Sequence, residues 1–438
     1  MVIAVCEKEE KCRLYHRRWF MLLIFVLFSL MNSFQWVQYT ILANVIVNYY
    51  NVEIVAVDWT SMIFMVAYIV FIIPAAHFLD KKGLRWSIIL GTLGNAAGGC
   101  IKIASVRPDL FWVTFIGQTI VAMSSVFMLN VSPCVAAAWF GENEVSTACS
   151  LGMFGNEIGM ALGFFIPTMI VQNNLSIEET SSELSVLFYI TGGVSTAIFI
   201  LAVFFFQDRP PTPPSPQQAK LKANKDISNS REDFLPILRR LFLNRNFVYL
   251  VLAYSLSQGV FSALSTLLNQ IILSFFKDGE ELAGRLGFVF VISGMIAGVL
   301  FGILLDKTHK FREISFAVFS LSLLGTAGFT VSLEMKSEIS VYITATLLGS
   351  FLGGYMPIAY DFCAELTYPE PEGITSGMLA MPTQIFAILF IIICEQMIAH
   401  MSTTWMNAFL CMSLVIGTLI HIQIRADLKR HAVTNSNK

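Results

Sequence analysis

Long apolar runs alternate with short polar stretches along this chain of 438 residues. About a dozen of the runs reach 20 residues, the length that a helix needs to cross a hydrocarbon core of ~30 Å. Their centres lie near residues 33, 67, 96, 124, 160, 196, 260, 295, 324, 352, 386 and 414. The pattern therefore predicts an all-α polytopic membrane protein with 12 transmembrane helices.

The longest polar stretch separates the sixth run from the seventh. It opens with a proline-rich part, Pro210 to Pro216, and then becomes charged as far as Arg245. This composition is typical of an extended linker followed by a short amphipathic segment. The predicted domains are an N-terminal tail at 1–18, a six-helix half at 19–206, a linker at 207–245, a second six-helix half at 246–425 and a C-terminal tail at 426–438.

Two loops repeat between these halves at nearly one offset. "FLDKKGLR" follows the second run and "LLDKTHKFR" follows the eighth, so that Asp80 and Asp306 are 226 residues apart. "WFGENEVSTA" follows the fourth run, and "TYPEPEGITS" follows the tenth, 228 residues later. The repeat indicates a duplication of six helices. Two parallel six-helix halves with a binding site near the midplane between them make up the major facilitator fold, which we therefore expect here.

The composition is that of a membrane protein, and the distribution of charge predicts how the chain is oriented in the membrane. Hydrophobic residues make up 55% of the chain and charged residues only 13%, about half the charged fraction of a soluble protein. With both termini in the cytoplasm, 23 of the 28 Lys and Arg residues face the cytoplasm. The opposite side keeps Lys102, Arg107, Lys277, Arg285 and Lys336. Because cytoplasmic loops are enriched in positive charge, we expect both termini to be cytoplasmic.

Acidic and basic residues meet in the loops after the second and eighth runs. Asp80 lies at a predicted helix end with Lys81 and Arg85 just beyond it, and Asp306 and Lys307 occupy the matching positions. Charges placed in this way can pair with one another and with a neighbouring helix end. We expect them to act as a gate that holds one face of the bundle shut. The alternative is an ordinary cluster of interfacial charges.

Amide and aromatic side chains interrupt the first run within "NSFQWVQYTILAN". Asn32, Gln35, Trp36 and Tyr39 fall within an arc of roughly 100° on a helix. Since an unpaired amide is costly in hydrocarbon, we expect this arc to line a central substrate-binding cavity. The seventh run carries a polar stripe of its own. It comprises Gln258, Ser262, Ser265 or Thr266, and Asn269, and Phe261 lies beside Ser262. The alternative for both stripes is hydrogen bonding between helices.

A carboxylate, Glu157, lies in the middle of the fifth run. An ionisable group inside a membrane span is a functional-site hypothesis by default. Asn156 precedes it, and Gln384 in the eleventh run follows Asn156 by 228 residues, which predicts two amides as pseudo-symmetric neighbours. We therefore add Asn156, Glu157 and Gln384 to the predicted substrate site. A structural hydrogen bond between helices is the alternative for Glu157.

Glycines recur at every fourth residue in two of the runs. Gly155, Gly159 and Gly163 form the stripe of the fifth run, and Gly294, Gly298 and Gly302 form that of the eighth. This spacing lets two helix backbones approach closely. The stripes are either static packing surfaces or sliding contacts between the halves.

Sequence motifs of catalysis and of cofactor binding are missing. The chain has no P-loop, HExxH, GxSxG or paired CxxC motif, and its six histidines fall near the ends of runs or in the tails. We therefore predict no enzyme, no metal site, no cofactor and no nucleic-acid partner. The expected partners are a small-molecule substrate and the lipid bilayer, and the expected state is a monomer.

Several segments together carry a family resemblance that covers nearly the whole transmembrane chain. They are "RRWFMLLIFVLFSLMNSFQWVQYTILAN", "VDWTSMIFMVAYIVFIIPAAHFLDKKGLR", "WFGENEVSTACSLGMFGNEIG", "STLLNQ" and "ELTYPEPEG". In this respect the chain resembles the feline leukaemia virus subgroup C receptor family. The resemblance implies a facilitator of choline and ethanolamine at the plasma membrane, with haem export also ascribed to the family. It further implies that Trp36 contacts the quaternary ammonium and that Gln384 is a polar contact of the cavity.

The chain departs from this family at two of its predicted site residues. It has Ser262 where the family typically has a tyrosine, and Glu157 where the family typically has a glutamine. One aromatic wall of the site is thereby lost and one neutral amide is replaced by an acid. Both departures are compatible with a cationic substrate.

Three functions stay open at this point. An alternating-access transporter of a small organic cation, with choline or ethanolamine first, explains the repeats and the polar stripes together. A haem exporter is the runner-up. A receptor that binds a ligand without moving it is the alternative from another class, and solute flux into vesicles would separate it from a transporter.

Overall fold

The computed structural model describes residues 14–141, 144–173, 176–212, 234–308, 310–370 and 372–425. The regular elements in these ranges are helical. In chain order they are α1 (Arg17–Val37), a 3₁₀ turn (Thr40–Leu42), α2 (Ala43–Tyr50), α3 (Ile54–Lys82), α4 (Leu84–Ala104), α5 (Phe111–Trp139), α6 (Val145–Ile170), α7 (Ile177–Phe205), α8 (Phe234–Leu243), α9 (Arg245–Phe275), α10 (Glu280–Thr308), α11 (Phe311–Glu334), α12 (Glu338–Thr367), α13 (Glu372–His400) and α14 (Thr403–Ile422).

Twelve segments are long and apolar enough to cross a membrane. The first of them, Arg17–Tyr50, joins α1, the 3₁₀ turn and α2 into one interrupted span, and the others each correspond to one helix. Every centre predicted from the apolar runs falls inside one of these segments. The prediction of an all-α protein with 12 spans is therefore confirmed, and the chain is a multi-pass membrane protein.

Because the number of spans is even, the first span begins and the last span ends on the same side of the bundle. We call this side the terminal end; it carries the start of α1, the turn between α3 and α4, and α8. The opposite side, with the connections at Asn51 and Gly279, is the far end. In α8 the side chains of Ile237 and Leu241 are buried while Arg239 is exposed, as expected for a short amphipathic segment.

The helices pack in two groups on either side of the linker. In the N-terminal half, α1 packs on α6, and α4 packs on both α5 and α7. In the C-terminal half, α10 packs on α12, and α9 packs on both α13 and α14. The most extensive contacts between the halves run along two seams, α6 with α10 and α3 with α13, and α9 also contacts the 3₁₀ turn of the first span.

Each half fixes one of its repeated loops with an arginine at the terminal end. An Nη2 of Arg18 lies 3.0 Å from an Oε1 of Glu144 in the N-terminal half. Arg240 of α8, in the linker, donates from Nε and Nη2 to the two carboxylate oxygens of Glu370 in the C-terminal half, at 2.7 and 3.1 Å. Both ion pairs involve the repeated loops, but Glu144 corresponds in the repeat to Glu372 and not to Glu370, so the two pairs are not at matching positions.

The glycine stripes pack inside the halves and not between them. A Cβ atom at Gly159 of α6 would lie 2.7 Å from the Cα of Leu30 in α1, so that only glycine allows this approach. In the second stripe, a Cβ at Gly294 of α10 would lie 2.9 Å from the carbonyl oxygen of Gly349 in α12. Of the two interpretations of the stripes, the structure therefore favours packing within a half over sliding between halves.

The approach of α6 to α1 predicts a stability difference between two glycine substitutions. Gly159→Ala should destabilise the protein by about 1–3 kcal/mol, because the added methyl group would overlap the backbone of α1. Gly193→Ala is the matched control, since a Cβ at this membrane glycine meets no atom within 4 Å. Thermal unfolding of the detergent-purified variants measures the difference. Equal midpoints for the two variants would contradict the close packing of α1 and α6.

Candidate substrate-binding site

The first span is broken two-thirds of the way along its length. Helix α1 ends at Val37, the 3₁₀ turn Thr40–Leu42 follows, and α2 completes the span. Trp36 is the next-to-last residue of α1 and is partly exposed, unlike its neighbours on both sides. Its ring lies 6.4 Å from that of Phe64 in α3, and its indole Nε1 has no hydrogen-bond partner among the described residues. Trp36 thus combines a partly exposed aromatic side chain with a buried, unpartnered indole N–H beside the break.

The other members of the polar arc on α1 are enclosed within the N-terminal half. The amide nitrogen of Asn32 lies within hydrogen-bond distance of Asn95 (3.3 Å) and Ser124 (3.2 Å) side-chain oxygens. Gln35 is fully buried, and the Tyr39 hydroxyl is bonded to Thr114. The polar atoms of these three side chains are therefore engaged between helices in this conformation. The assignment of Asn32, Gln35 and Tyr39 as substrate contacts stays a prediction, and this geometry does not favour it.

An acid and an amide of α6 are linked to the same face of α1 as Trp36. The hydroxyl of Ser33, about one helical turn before Trp36, donates to Asn156 Oδ1. The amide nitrogen of Asn156 in turn donates to Glu157 Oε1 at 3.3 Å. Glu157 is the thirteenth of the 26 residues of α6 and is partly exposed, as Asn156 is. The structure therefore links Asn156 and Glu157 to Ser33, which lies about one helical turn from Trp36.

The C-terminal half contributes a more weakly polar set of side chains. Gln258 and Gln384 are partly exposed, and the Gln384 amide donates at 3.4 Å to its neighbour Thr383. The ring of Phe261 stacks on that of Phe290 at 5.3 Å. Ser262 is buried, with 7% of its surface exposed. Among these residues of the C-terminal half, Gln258, Phe261 and Gln384 are thus partly exposed, and Ser262 is buried.

Polar side chains hold the halves together at the far end. The amide nitrogen of Asn269 in α9 donates to the carbonyl oxygen of Ile41 at 2.8 Å and to Asn44 Oδ1 at 3.2 Å, on the interrupted first span. The amide nitrogen of Gln270 lies 3.0 Å from each carboxylate oxygen of Asp58 in α3. These contacts close the far end, and we call them the far-end gate.

Glu280, the first residue of α10, joins the far-end gate from the C-terminal half. Its Oε1 accepts from Asn44 at 2.7 Å and from Asn173 at 2.6 Å. Both donors belong to the N-terminal half, so that one carboxylate bridges two of its segments. Asn269, predicted to line the cavity, takes part in this closure.

The gate predicted at the terminal end is not engaged in this conformation. Asp80, Lys81 and Lys307 are exposed, and Asp80 forms no ion pair with any residue that the structure describes. Arg85 instead donates its backbone N–H to Asp208 Oδ1 at 3.1 Å and its guanidinium to the Val203 carbonyl oxygen. The side chain of Asp306 lies outside the described residues. The gating roles of these residues stay a prediction.

Comparison with known proteins identifies the family to which this chain belongs. Residues 21–391 match the model of the Major Facilitator Superfamily. The chain is 42% identical to the zebrafish (Danio rerio) choline/ethanolamine transporter flvcr2a, over 95% of this chain and 88% of that protein. It is 40% identical to the human choline/ethanolamine transporter FLVCR2, over 97% of this chain and 80% of that protein. The chain belongs to the feline leukaemia virus subgroup C receptor family of the major facilitator superfamily.

Solved structures support the same fold for this family member. A crystal structure of a D-xylose–proton symporter superposes with a TM-score of 0.72 at 12% identity, covering 93% of this chain and 98% of that one. An inward-facing, occupied bacterial homologue of the lysosomal transporter Spinster gives a TM-score of 0.70 at 10% identity, covering 94% and 97%. The twelve-span transporter fold is therefore shared across distant sequences.

Two ionisable residues of this transporter have positions that sequence reasoning missed. Lys102, which the charge distribution places on the side opposite the termini, is completely buried within the N-terminal half. Asp58 is also completely buried, within the far-end gate. Each of them is an ionisable residue inside an apolar run, and this feature of the sequence could have indicated that both are buried in the protein.

The far-end gate predicts a change in conformation when its carboxylate–amide pair is altered. Gln270→Glu places a second carboxyl group against Asp58 and removes the amide donor from its buried oxygens, which costs about 1–3 kcal/mol. The fraction of molecules open at the far end should then rise about fivefold or more. Labelling of a cysteine introduced at Ser61, buried between the halves at this end, measures the opening.

The double variant Asp58→Asn/Gln270→Glu is the control for this experiment. It exchanges the two groups and restores one carboxylate and one amide, so that labelling should return towards the level of the parent protein. Unchanged labelling in Gln270→Glu, or no recovery in the double variant, would contradict the gate.

Proposed function

We propose that this protein carries choline, ethanolamine or a closely similar organic cation across the plasma membrane by alternating access. The observation that carries the proposal is the partly exposed Trp36 beside the break in the first span, with Ser33, one helical turn away, hydrogen-bonded through Asn156 to the acid Glu157. The names of the relatives, choline/ethanolamine transporters, agree with this chemistry.

An aromatic face and a carboxylate attract an ammonium group in complementary ways. A tryptophan face over a cation contributes about 0.5–2 kcal/mol, more when water is excluded. A nearby carboxylate adds charge attraction, which is stronger in a low-dielectric site than in water. Micromolar affinity requires only about −8 kcal/mol in total, so these contacts and the desolvation of the substrate's methyl or methylene groups suffice.

The far-end gate supports an alternating-access cycle. Asn269, Gln270 and Glu280 close one end, while Asp80 and Lys81 of the charged loop form no ion pair within the described residues. Release of these contacts, together with pairing of the charged loop at the terminal end, would expose the Trp36 site to the other side. The excess of basic residues at the terminal end supports a cytoplasmic position for both termini. In that orientation the conformation described here faces the cytoplasm.

Uptake of radiolabelled choline into vesicles that contain the purified protein tests the proposed function. We expect saturable uptake that unlabelled choline and ethanolamine inhibit. Saturable binding without uptake would favour a receptor over a transporter. Absence of both would contradict an organic cation of this class.

Substitution of Trp36 separates the role of its ring from that of its bulk. Trp36→Ala should weaken choline affinity between about twofold and thirtyfold, which corresponds to loss of 0.5–2 kcal/mol. Trp36→Phe should retain a measurable part, because a weaker aromatic face remains. Trp112→Ala, at a tryptophan that is 70% exposed on the outside of α5, is the matched control. Equal affinities for the alanine and phenylalanine variants, at normal expression, would show that the ring face of Trp36 does not bind the substrate.

Substitution of Glu157 tests whether the acid contributes to binding of the cation. Glu157→Gln keeps the size and the acceptor for Asn156 but removes the charge, so the protein should fold and keep some uptake. We expect affinity for choline to fall by about 1 kcal/mol or more, roughly fivefold, at neutral pH. Glu338→Gln, which removes an exposed acid at the far end, should leave affinity unchanged. Uptake at several choline concentrations measures the affinity. Equal affinities for the two variants would mean that Glu157 has only a structural role.

A further inference from the structure

A cluster of buried polar side chains surrounds Gln35 inside the N-terminal half. The Gln35 amide nitrogen donates to Asn95 Oδ1 at 3.1 Å and lies 3.3 Å from Ser195 Oγ, and its amide oxygen accepts from Lys102 Nζ at 3.0 Å. Its backbone carbonyl accepts from Gln118 Nε2 at 2.8 Å. We call these five residues the Gln35 cluster. Gln35 is therefore held from α4, α5 and α7 at once.

The ammonium group of Lys102 is the most costly member of the Gln35 cluster. The side chain is completely buried, and it forms no ion pair with a carboxylate in the parts of the chain that the structure describes. Its contacts are a neutral amide oxygen, on Gln35, and an aromatic ring, that of Tyr39. Burial of an ammonium group without an opposite charge is unfavourable, and an apolar side chain would avoid the cost. The retained amine therefore performs a task that packing alone does not.

Lys102 contacts the first span on both sides of the point where α1 stops. Gln35 lies in the last turn of α1, and Tyr39 lies between α1 and the 3₁₀ turn. The Lys102 nitrogen is 5.3 Å from the centroid of the Tyr39 ring, within the range of a cation–π contact. The Tyr39 hydroxyl is in turn bonded to Thr114 of α5. One ammonium group thus fixes the helix end and the segment that follows it.

Trp36 depends on this arrangement because it directly follows Gln35. Successive residues of a helix point about 100° apart, so the rotational position of α1 that seats Gln35 in its cluster also sets the direction of the Trp36 ring. We propose that Lys102 is a positioning residue, which holds Gln35 and Tyr39 across the break and thereby keeps the Trp36 ring aimed at the substrate. Lys102 itself does not touch the substrate, since it is enclosed within the N-terminal half.

Fluorine NMR of protein labelled with 5-fluorotryptophan tests this role without any substrate. The Trp36 resonance is assigned by its loss in Trp36→Phe. Lys102→Met removes the ammonium and keeps an unbranched side chain, and we expect it to shift or broaden the Trp36 resonance. The resonances of Trp19 and Trp139, at the terminal end of the same half, should stay in place. Thr92→Val is the matched control on α4, because the Thr92 hydroxyl bonds only to carbonyls of its own helix among the described residues.

Choline affinity gives a second readout, which rests on the proposed function. Lys102→Met should weaken choline binding at least about twofold but by no more than Trp36→Ala does, and the effect should vanish in a Trp36→Ala background, because Lys102 acts through Trp36. Additive losses in the double variant would mean a separate structural effect and would overturn the proposal. If the parent protein binds no choline but the Trp36 resonance still moves in Lys102→Met, the proposed function fails and the positioning role stands.

Two results of the NMR experiment would overturn the positioning role. One is an unchanged Trp36 resonance in Lys102→Met. The other is an equal change of the Trp19, Trp36 and Trp139 resonances, which would indicate a general loss of packing. If Lys102→Met does not yield folded protein, Lys102→Gln keeps a donor for Gln35 without the charge. It should give the same selective change at Trp36 with a smaller amplitude, and the absence of that change would equally overturn the proposal.

Discussion

The interruption of the first membrane span between Val37 and Ala43 is the constraint on which the rest of the site depends. In hydrocarbon, the backbone groups that a helix leaves unpaired must find partners inside the protein. Gln118 supplies such a partner to the carbonyl of Gln35, and Asn269 supplies one to the carbonyl of Ile41. The first donor belongs to the N-terminal half and the second to the C-terminal half. The break is therefore held from both halves, directly next to Trp36.

This arrangement places the proposed substrate contact, Trp36, and contacts of the far-end gate on the same stretch of chain. Trp36 lies on one side of the break, and Asn44, on the other side, is bonded to Glu280 of the C-terminal half. Opening of the far end must release Asn44 and Ile41 from their partners while the part of α1 that carries Trp36 stays anchored through Gln35. A bound cation at Trp36 can bias that movement only through its different interactions with the two states. The close packing of α6 on α1 gives the N-terminal half the rigidity that such a movement requires.

The overall fold was predictable from the sequence because span length and loop repetition are local properties. Each apolar run is long enough to span by itself, and the repeated loops around Asp80 and Asp306 reveal the duplication without any knowledge of contacts. The side-chain partners were less predictable. A helical wheel places Asn32, Gln35 and Trp36 on one arc, but it does not show which helices lie against each edge of that arc. In the structure Asn32 and Gln35 meet α4 and α5, and only Trp36 is partly open. For the same reason the burial of Lys102 could not be read from its place near a helix end.

Counterflow of choline tests the central claim, a cation site that opens to either side of the membrane in turn, most directly. Vesicles that contain the protein are loaded with unlabelled choline and diluted into a trace of radiolabelled choline, so that labelled choline accumulates only if one site alternates between the two faces. The account predicts a transient accumulation above equilibrium that disappears in protein-free vesicles and is strongly reduced in Trp36→Ala. Binding of choline to the purified protein without any such accumulation would contradict it.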